Sequence, residues 1–388
     1  MPPWCKGKAY IPFEPRELSY LDRNIPKRDV QLDLMIGMFD TWANPHLWID
    51  LGEDPKDHVD TSMRKISEIG SEGLYLTDFL QINEEMRVDD KIRHSGNMKP
   101  EELRNVVNLA RSNGQKKIML VVNLYDPEAP WRRYKGQGME GTVSEKLWAN
   151  RSVENWDPLM QTWKEYLKKE AKKAEDADVD YMIAVPSDFR FDKLENESYL
   201  NKIFRESADS VRSVFNGKIG WAGPIYEVDS LEDATISSFD FFAIYFDSAG
   251  DYLLRDIMSG VEENVDSVQK AVEQWLSLPQ WNKLKGKEIY LVVTIPSYDG
   301  ALKKGWIEPG AVYGPEYVPD YKEQAIGYEG LLRALYFGNY NMTGVISYGY
   351  WWTDRIYPDI KVLRNDLSHS IRNKDAEHVF YKWSRIFK

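Results

Sequence analysis

Apolar runs of strand length recur eight times along the chain, and a polar or aromatic cluster follows each of them at once. Stretches with apolar residues at helical spacing separate most of these runs. This alternation predicts strands that are joined by helical crossovers. The predicted strand regions are Leu32–Trp42, Gly73–Gln81, Lys117–Asp126, Val179–Phe189, Lys218–Glu227, Phe239–Asp247, Glu288–Asp299 and Thr343–Asp354.

Apolar positions at i, i+3, i+4 and i+7 predict the helices between the strands. Gly70 and Gly114 stand where two of the helical patterns stop, as glycine commonly does after a helix. The predicted helices are Val59–Ile69, Pro100–Asn113, Asn155–Ala177, Glu197–Phe215, Val265–Leu276, Tyr321–Phe337 and Ala376–Phe387, with a short helical piece at Ser230–Ile236.

Every predicted strand region carries an acid near its C-terminal end. The runs Lys117–Val122 and Ile289–Val293 are almost continuously apolar, which is typical of parallel strands buried on both faces. Eight such strand–helix units predict an α/β protein, specifically a (β/α)8 TIM barrel with its polar face at the strand ends. An open doubly wound sheet is the alternative, but no GxGxxG or GxxxxGK[ST] motif follows the first strand. The acids are Asp40, Asp78, Asp126, Asp188, Glu227, Asp247, Asp299 and Asp354.

No Gly-, Pro- or Ser-rich linker divides the chain. We therefore expect a single barrel domain over residues 32–388, with an N-terminal extension, residues 1–31, that packs on the barrel. Long connections follow several strands, and in a barrel these are the elaborated βα loops that build an active site. They are Ala43–Asp57, Asn83–Lys99, Pro127–Glu154 and Gly300–Asp320.

Composition narrows the classes of partner. The 388 residues carry a formal net charge of −12, which argues against an anionic nucleic acid. The chain has 14 Trp and 23 Tyr, and many of them follow the strand regions. Most of these side chains serve core packing in the simplest interpretation, but aromatic rings at strand ends also suit stacking on sugars. We expect a carbohydrate partner, and the sequence predicts no oligomeric state.

Cofactor chemistry has little support in the sequence. Cys5 is the only cysteine, and the five histidines lack the spacing of metal ligands. We therefore expect no metal and no other cofactor. No run of eighteen apolar residues predicts a membrane span, and residues 1–10 do not have the pattern of a signal peptide.

Several segments resemble clan A glycoside hydrolases, and in particular the endo-β-mannanases of family 113 and their relatives. The resemblance extends over about residues 33–385. It implies a (β/α)8 barrel that hydrolyses a β-mannan-like or β-glucan-like polysaccharide with two glutamates, an acid/base on strand four and a nucleophile on strand seven. The segments are Ile92–Leu124, Trp163–Val185, Ser210–Gly223, Lys287–Ala301 and Ser370–Trp383.

The chain departs from the family pattern at both glutamates. The acid/base position of strand four falls on Ser187, beside Asp188. The nucleophile of strand seven follows a threonine in the family, but Ile295 follows Thr294 here. An isoleucine can neither transfer a proton nor attack a carbon, so the retaining mechanism of the family does not carry over directly.

Our preferred hypothesis is a glycoside hydrolase that uses shifted carboxylates. Asp188 is the candidate general acid/base, and Asp299 or Glu227 is the candidate nucleophile or second carboxylate. The reaction requires two carboxyl groups about 5–5.5 Å apart for retention or about 6.5–9.5 Å apart for inversion. The candidate sugar contacts are Asp40, Trp42, Asn123, Tyr245, Asp247, Tyr298, Trp351 and Trp352.

Two alternatives remain open. The barrel could be catalytically inactive and bind a glycan or serve a structural role in a larger assembly, which Ile295 favours. The cluster Tyr348, Tyr350, Trp351 and Trp352 would still hold a sugar, and alternation predicts that only some of these four face the cleft. A metalloenzyme barrel is disfavoured by the scattered histidines. For each single acid, the competing interpretation is a helix cap or an ion pair.

Overall fold

A closed barrel of eight parallel strands, in sequence order, forms the centre of the protein, which confirms the predicted TIM barrel. The computed structural model describes residues 11–21, 25–38, 58–83, 85, 87–88, 97–125, 152–186, 189, 196–305, 317–351, 354 and 364–387. The strands are β1 (Asp33–Met38), β2 (Gly73–Gln81), β3 (Lys117–Tyr125), β4 (Tyr181–Val185), β5 (Lys218–Gly223), β6 (Phe241–Phe246), β7 (Glu288–Val293) and β8 (Gly344–Tyr350).

Helices follow the strands and surround the barrel. Among the described residues, 3-10 helices occur at Ser19–Leu21, in the N-terminal extension, and at Ile225–Ser230 and Pro279–Leu284, in the connections that follow β5 and β6. The helices are α1 (Val59–Glu68), α2 (Pro100–Ser112), α3 (Val153–Asp176), α4 (Glu197–Arg212), α5 (Asp233–Ser237), α6 (Tyr252–Met258), α7 (Val265–Leu276), α8 (Ala301–Lys304), α9 (Tyr321–Phe337) and α10 (Asp375–Ile386). Among these described helices, none is long and apolar enough to cross a membrane.

Two apolar layers hold the fold together. Side chains that alternate along the strands fill the inside of the barrel, among them Tyr75, Met119, Ile183, Phe241 and Tyr290. The outward side chains of the same strands form a larger cluster with the surrounding helices. Because successive residues of a strand point to opposite sides, each strand contributes to both layers.

Two ion pairs lie at the N-terminal end of the barrel. Lys117 of β3 pairs with Asp33 of β1, and Lys218 of β5 pairs with Glu288 of β7. The hydroxyl of Tyr290 donates to Asp33 at 3.4 Å. These contacts join alternate strands, which is the layered arrangement expected inside a TIM barrel.

The described part of the N-terminal extension lies against the helices that precede and follow β8 and against α1. The backbone N–H of Phe13 donates to Glu68 at 2.8 Å, and Arg16 pairs with Asp375 at the start of α10. The N–H of Arg28 donates to the hydroxyl of Tyr336 on α9 at 2.5 Å. The exact domain boundary at residue 31 stays a prediction.

Candidate functional site

The barrel mouth is the end of the barrel where the strands have their C-termini. Alternation brings Asn123 there from β3, Tyr245 from β6 and Tyr348 from β8, each two residues after an inward apolar side chain. Tyr245 and Tyr348 pack on the inner apolar layer. Thr77 of β2 also faces inward, two residues after Tyr75. These four side chains, Thr77, Asn123, Tyr245 and Tyr348, are called the mouth floor below.

Two polar groups of the mouth floor are buried without a partner among the described residues. Among the described residues, the hydroxyl of Thr77 neither donates nor accepts a hydrogen bond, and the amide oxygen of Asn123 accepts none. The two strands are neighbours, with Thr77 level with Val121 and Asn123 level with Phe79. A buried polar group without a partner costs free energy, so such groups commonly serve a bound ligand or water.

Tyr348 is held by two other rings. Its ring meets that of Tyr75 edge-on, with centroids 5.6 Å apart, and stacks parallel to the imidazole of His369, also at 5.6 Å. Gly37 leaves room for both tyrosines, since a Cβ there would lie 3.0 Å from the Tyr348 ring. Burial, and secondarily the charge of Lys374, lower the pKa of His369 to about 3, so the imidazole is neutral near pH 7.

A bulge in β8 turns the next aromatic side chain away from the mouth. Gly349 has a φ of +86°, and a Cβ there would lie 2.1 Å from Nε2 of His369. After the bulge, Tyr350 points outward and its hydroxyl donates to Glu377 at 2.5 Å. Trp351 is also buried, and its indole N–H donates to Ser368 at 3.0 Å. Alternation would place Tyr348 and Tyr350 on the same side of β8, so it is the bulge that separates them.

Asp78, the acid at the end of β2, lies on the outer side of the strand. It is fully buried and pairs with Lys173 of α3 at 2.6 Å. The backbone N–H groups of Phe79 and Met98 donate to its other oxygen at 2.9 and 3.0 Å. Burial alone would lower the pKa of Lys173, but Asp78 and Glu170 outweigh it and raise that pKa. Asp78 therefore fastens a helix to the barrel.

Asp354, which follows β8, has the same kind of role. It pairs with Arg372 at 2.9 Å and with Lys65 of α1 at 2.8 Å. Burial would raise the pKa of Asp354, but the charge and hydrogen bond of Arg372 together with Lys65 hold it well below its ordinary value. The ion-pair interpretation is thus confirmed for two of the eight strand-end acids.

The end of β7 offers no carboxylate to the mouth floor. Ile295 points outward into the outer apolar layer, where its methyl groups lie against Gly327 of α9. Tyr298 is completely buried, and its hydroxyl donates to the carbonyl of Gly305 at 2.6 Å. A ring enclosed in this way has no free face for a sugar. Asp299 is the first acid after the strand, and it is exposed.

Asp299 stands beside two further acids at the start of α9. Carboxylate oxygens of Asp299, Asp320 and Glu323 lie within 4.8 Å of one another. Glu323 accepts the N–H groups of Gly300 and Leu302, at 2.6 and 2.9 Å, while burial raises its pKa. Hard cations such as Ca²⁺ prefer oxygen ligands of this kind, but acidic groups also cluster without an ion. The sequence interpretation, which relied on histidine spacing, did not detect this group.

Two predicted acids lie at the neighbouring ends of β5 and β6. Glu227 is buried in the 3-10 helix that follows β5. Asp247 is half-buried, directly after β6, and accepts the N–H of Ala249 at 3.0 Å. Parallel neighbours end at one edge of a sheet, so both acids belong to the same part of the rim.

The remaining predicted site residues lie outside the described residues. They are Asp188, the candidate acid/base, with its neighbour Ser187, and the candidate sugar contacts Asp40, Trp42 and Trp352. Their roles stay predictions.

The sequence analysis did not identify Thr77 and His369. Thr77 could have been found from period-two counting along β2, whereas nothing in the local sequence marks His369, because its contact with Tyr348 is made through the fold.

The described floor can hold a neutral polar ligand. It offers an amide, a hydroxyl and two tyrosine rings, with no carboxylate among Thr77, Asn123, Tyr245 and Tyr348. Polar groups of this kind fix the orientation of a ligand, and ring faces contribute apolar contact area.

Comparison with known proteins agrees with this architecture. No protein-family model matches the chain, and no curated protein sequence matches it. Solved structures do match. A GH113 β-1,4-mannanase shares 14% identity, with 92% of this chain and 99% of that chain covered and a TM-score of 0.61. The GH113 β-mannanase of Alicyclobacillus acidocaldarius, solved in complex with ManMIm, shares 16%, with 95% and 99% covered and a TM-score of 0.59.

A second group of glycoside hydrolases is also similar. A GH5_18 protein of Bifidobacterium longum, in complex with Manβ1-4GlcNAc, shares 12% identity, with 91% of this chain and 78% of that chain covered and a TM-score of 0.54. At these identities the similarity concerns the fold. The chain has the (β/α)8 barrel fold of clan A glycoside hydrolases, as the sequence resemblance implied.

Proposed function

We propose that the barrel binds a neutral glycan in its mouth and that it does not use the two-glutamate mechanism of clan A hydrolases. One observation carries the proposal: Thr77 and Asn123 present a buried hydroxyl and a buried amide oxygen, unpaired among the described residues, at the same end of the barrel as the ordered ring of Tyr348. A sugar ring satisfies both kinds of group, because its hydroxyls donate and accept hydrogen bonds and its C–H face stacks on an aromatic ring.

The charge of the protein supports a neutral ligand. The net charge of −12 repels polyanions, and the mouth floor itself carries no cation that would neutralise a phosphate or a uronic acid. The structural neighbours are mannanases and related enzymes, one of them solved with Manβ1-4GlcNAc. A β-1,4-linked mannan or glucan chain is therefore the first ligand class to test.

The position of Ile295 argues against a retained nucleophile. In register with the family pattern, this residue would have to attack a sugar carbon, but it packs against α9 on the outer side of β7. Restoring a glutamate at residue 295 would therefore direct the carboxylate into an apolar layer.

The test is calorimetric titration with β-1,4-linked manno- and gluco-oligosaccharides of two to six residues. We expect binding by the wild type, and a loss of at least about tenfold in affinity, about 1.4 kcal/mol, for Tyr348→Ala and for Asn123→Ala. The control is Asn113→Ala, which removes an amide at the C-terminal end of α2, at the opposite end of the barrel. Absence of binding to every neutral glycan would refute the proposal.

Hydrolysis by shifted carboxylates is the second candidate function, because Glu227 and Asp247 lie on one part of the rim. In this case Asp188 would be the acid/base and Glu227 or Asp299 the second carboxylate. Release of reducing sugar from the same oligosaccharides, abolished by Asp188→Asn, would establish it. Release that is unchanged in Asp188→Asn would reject the assignment of Asp188 alone.

A further inference from the structure

Two tyrosines form an aromatic pair at the end of the barrel where the mouth floor lies. Tyr226 follows β5 in the 3-10 helix, and Tyr252 is the first residue of α6, after β6. Their ring centroids are 4.7 Å apart, with the planes inclined at 43°. Tyr252 is 49% exposed and Tyr226 is half-buried, whereas Ile225 and Leu254 beside them are fully buried. The pair therefore presents the ring of Tyr252 to solvent with Tyr226 packed against it.

A buried acid orders the start of α6, where Tyr252 lies. Asp251 is fully buried and caps α6, accepting the N–H groups of Leu253 and Leu254 at 3.0 and 3.3 Å. It also receives a hydrogen bond from the indole of Trp275 on α7 at 3.4 Å. Asp251 thus orders the start of α6, which carries Tyr252, before any ligand binds.

We infer that Tyr226 and Tyr252 form a second glycan subsite, which binds a sugar residue further along the same chain whose first residues occupy the mouth floor. This inference rests on the proposed function and deepens it. The pair follows the C-terminal ends of β5 and β6, which is the end of the barrel where the mouth floor lies.

The chemistry around the pair selects an uncharged, hydroxylated occupant. Asp229 is exposed three residues after Tyr226, and Asp247 is half-buried five residues before Tyr252. Two exposed cations balance these acids: Arg255 comes three residues after Tyr252, and Lys283 donates to the carbonyl of Asp229 at 2.7 Å. Charged groups of both signs form hydrogen bonds with sugar hydroxyls, and together they favour neither an anionic nor a cationic chain. Tyrosine rings contribute apolar area with a polar end, which suits a sugar better than a purely apolar surface does.

The experiment measures how affinity depends on chain length. Wild type, Tyr252→Ala, Tyr226→Ala and Tyr252→Phe are titrated with β-1,4-linked manno- and gluco-oligosaccharides of two to six residues. We expect Tyr252→Ala and Tyr226→Ala to weaken the hexasaccharide about 5- to 10-fold and to leave the disaccharide unchanged. Tyr252→Phe keeps the ring and should bind as the wild type does. The matched control is Tyr20→Ala, because Tyr20 is 40% exposed but lies on the N-terminal extension, bonded to Asp375.

The outcomes separate this inference from the proposed function. If the wild type binds oligosaccharides and Tyr348→Ala abolishes the disaccharide, but Tyr252→Ala leaves the hexasaccharide unchanged, only the second subsite is wrong. An equal loss at all chain lengths also contradicts it, since the tyrosines would then act on the mouth floor. If the wild type binds no glycan, both proposals fail. Sedimentation velocity is the last check: self-association that Tyr252→Ala removes would assign the pair to a second copy of the chain and overturn the subsite.

Discussion

The inner and the outer sides of the strand ends differ in charge, although they belong to the same strands. On the inner side, Thr77, Asn123 and Tyr348 are neutral. On the outer side, Asp78 pairs with Lys173 of α3, and Asp354 pairs with Arg372 and Lys65. Thr77 and Asp78 are consecutive residues, so a single step along β2 changes the environment from the mouth floor to an ion pair behind the barrel.

This difference shows that an acid near the end of a strand is ambiguous evidence for catalysis. Half of the residues of a strand face the surrounding helices, and a carboxylate there can neutralise a buried lysine or arginine. Asp78 and Asp354 are of this kind, whereas Glu227 and Asp247 lie at the rim of β5 and β6. The acids must therefore be sorted by the side of the strand before any of them is assigned a chemical role.

The largest expected effect comes from placing a charge on the wrong side of β7. Ile295→Glu would bury an unpaired carboxylate against α9 and should lower the free energy of unfolding by about 3–5 kcal/mol. Ile295→Leu conserves the volume and should cost less than about 1.5 kcal/mol. Asn123→Asp puts its charge at a half-buried position on the inner side and should cost at least about 1 kcal/mol less than Ile295→Glu. Urea unfolding measures all three, and a stable Ile295→Glu variant would contradict the outward orientation.

Asp78→Asn tests the outer ion pair. The change leaves Lys173 buried without a full countercharge and should cost about 3 kcal/mol in urea unfolding. Glu72→Gln is the control, because Glu72 pairs with Lys116 at 3.5 Å on the surface, with 72% of the lysine side chain exposed. That change should cost less than about 1 kcal/mol. If both variants lowered the free energy of unfolding by the same amount, the Asp78–Lys173 pair would not stabilise the fold as a buried ion pair.

Because His369, which stacks on Tyr348, stays neutral in the folded protein, we expect the free energy of unfolding to fall as the pH is lowered. The pKa of His369 is about 3 in the folded protein but about 6.5 when unfolded, so below pH 6.5 the unfolded state binds a proton that the folded state does not. The uptake of this proton by the unfolded state is negligible above pH 7. At pH 5 it should lower the free energy of unfolding by about 2 kcal/mol. His369→Gln should remove that part of the pH dependence, as urea unfolding at pH 7.5 and 5.0 can measure. An identical pH dependence in both proteins would disprove a neutral His369.

The smallest effect concerns the unpaired hydroxyl of the inner side. Thr77→Val has the same shape but lacks the hydroxyl, which has no partner to lose in the described structure. Stability should therefore stay within about 1 kcal/mol of the wild type or increase, while glycan affinity falls. A large loss of stability would show that Thr77 has a structural partner, and the mouth floor would then need a different definition.

Much of the barrel could be predicted from the sequence because its elements depend on local periodicity. The predicted strand Gly73–Gln81 and the predicted helices Val265–Leu276 and Tyr321–Phe337 coincide with β2, α7 and α9. Helices α6 and α8 were missed, since seven- and four-residue helices have too few turns to show an apolar stripe. The short helical piece expected at Ser230–Ile236 corresponds to α5 (Asp233–Ser237), which a 3-10 helix, Ile225–Ser230, precedes.

The site could be predicted only in part, because the direction of a side chain near a strand end depends on bulges and on distant contacts. Strict alternation from Tyr348 would direct Tyr350 into the mouth, but the bulge at Gly349 turns it outward to Glu377. Tyr298 was expected to contact sugar, yet it is enclosed by the connection after β7 and bonded to Gly305. Asn123 and Tyr245, which lie on regular parts of their strands, reach the mouth as alternation predicts.

The sequence by itself determined the eight strand–helix units, the closed parallel barrel and the neutral-to-acidic character of the surface, since these depend on periodicity and composition. Only the tertiary structure decided which strand-end acids pair with buried lysines and arginines behind the barrel. It also decided where Ile295 points and which rings pack against Tyr348. These features result from contacts between residues far apart in the chain, such as Asp78 with Lys173 and Tyr348 with His369. Local sequence carries no signal for contacts of this kind, because their energy exists only when the barrel has closed.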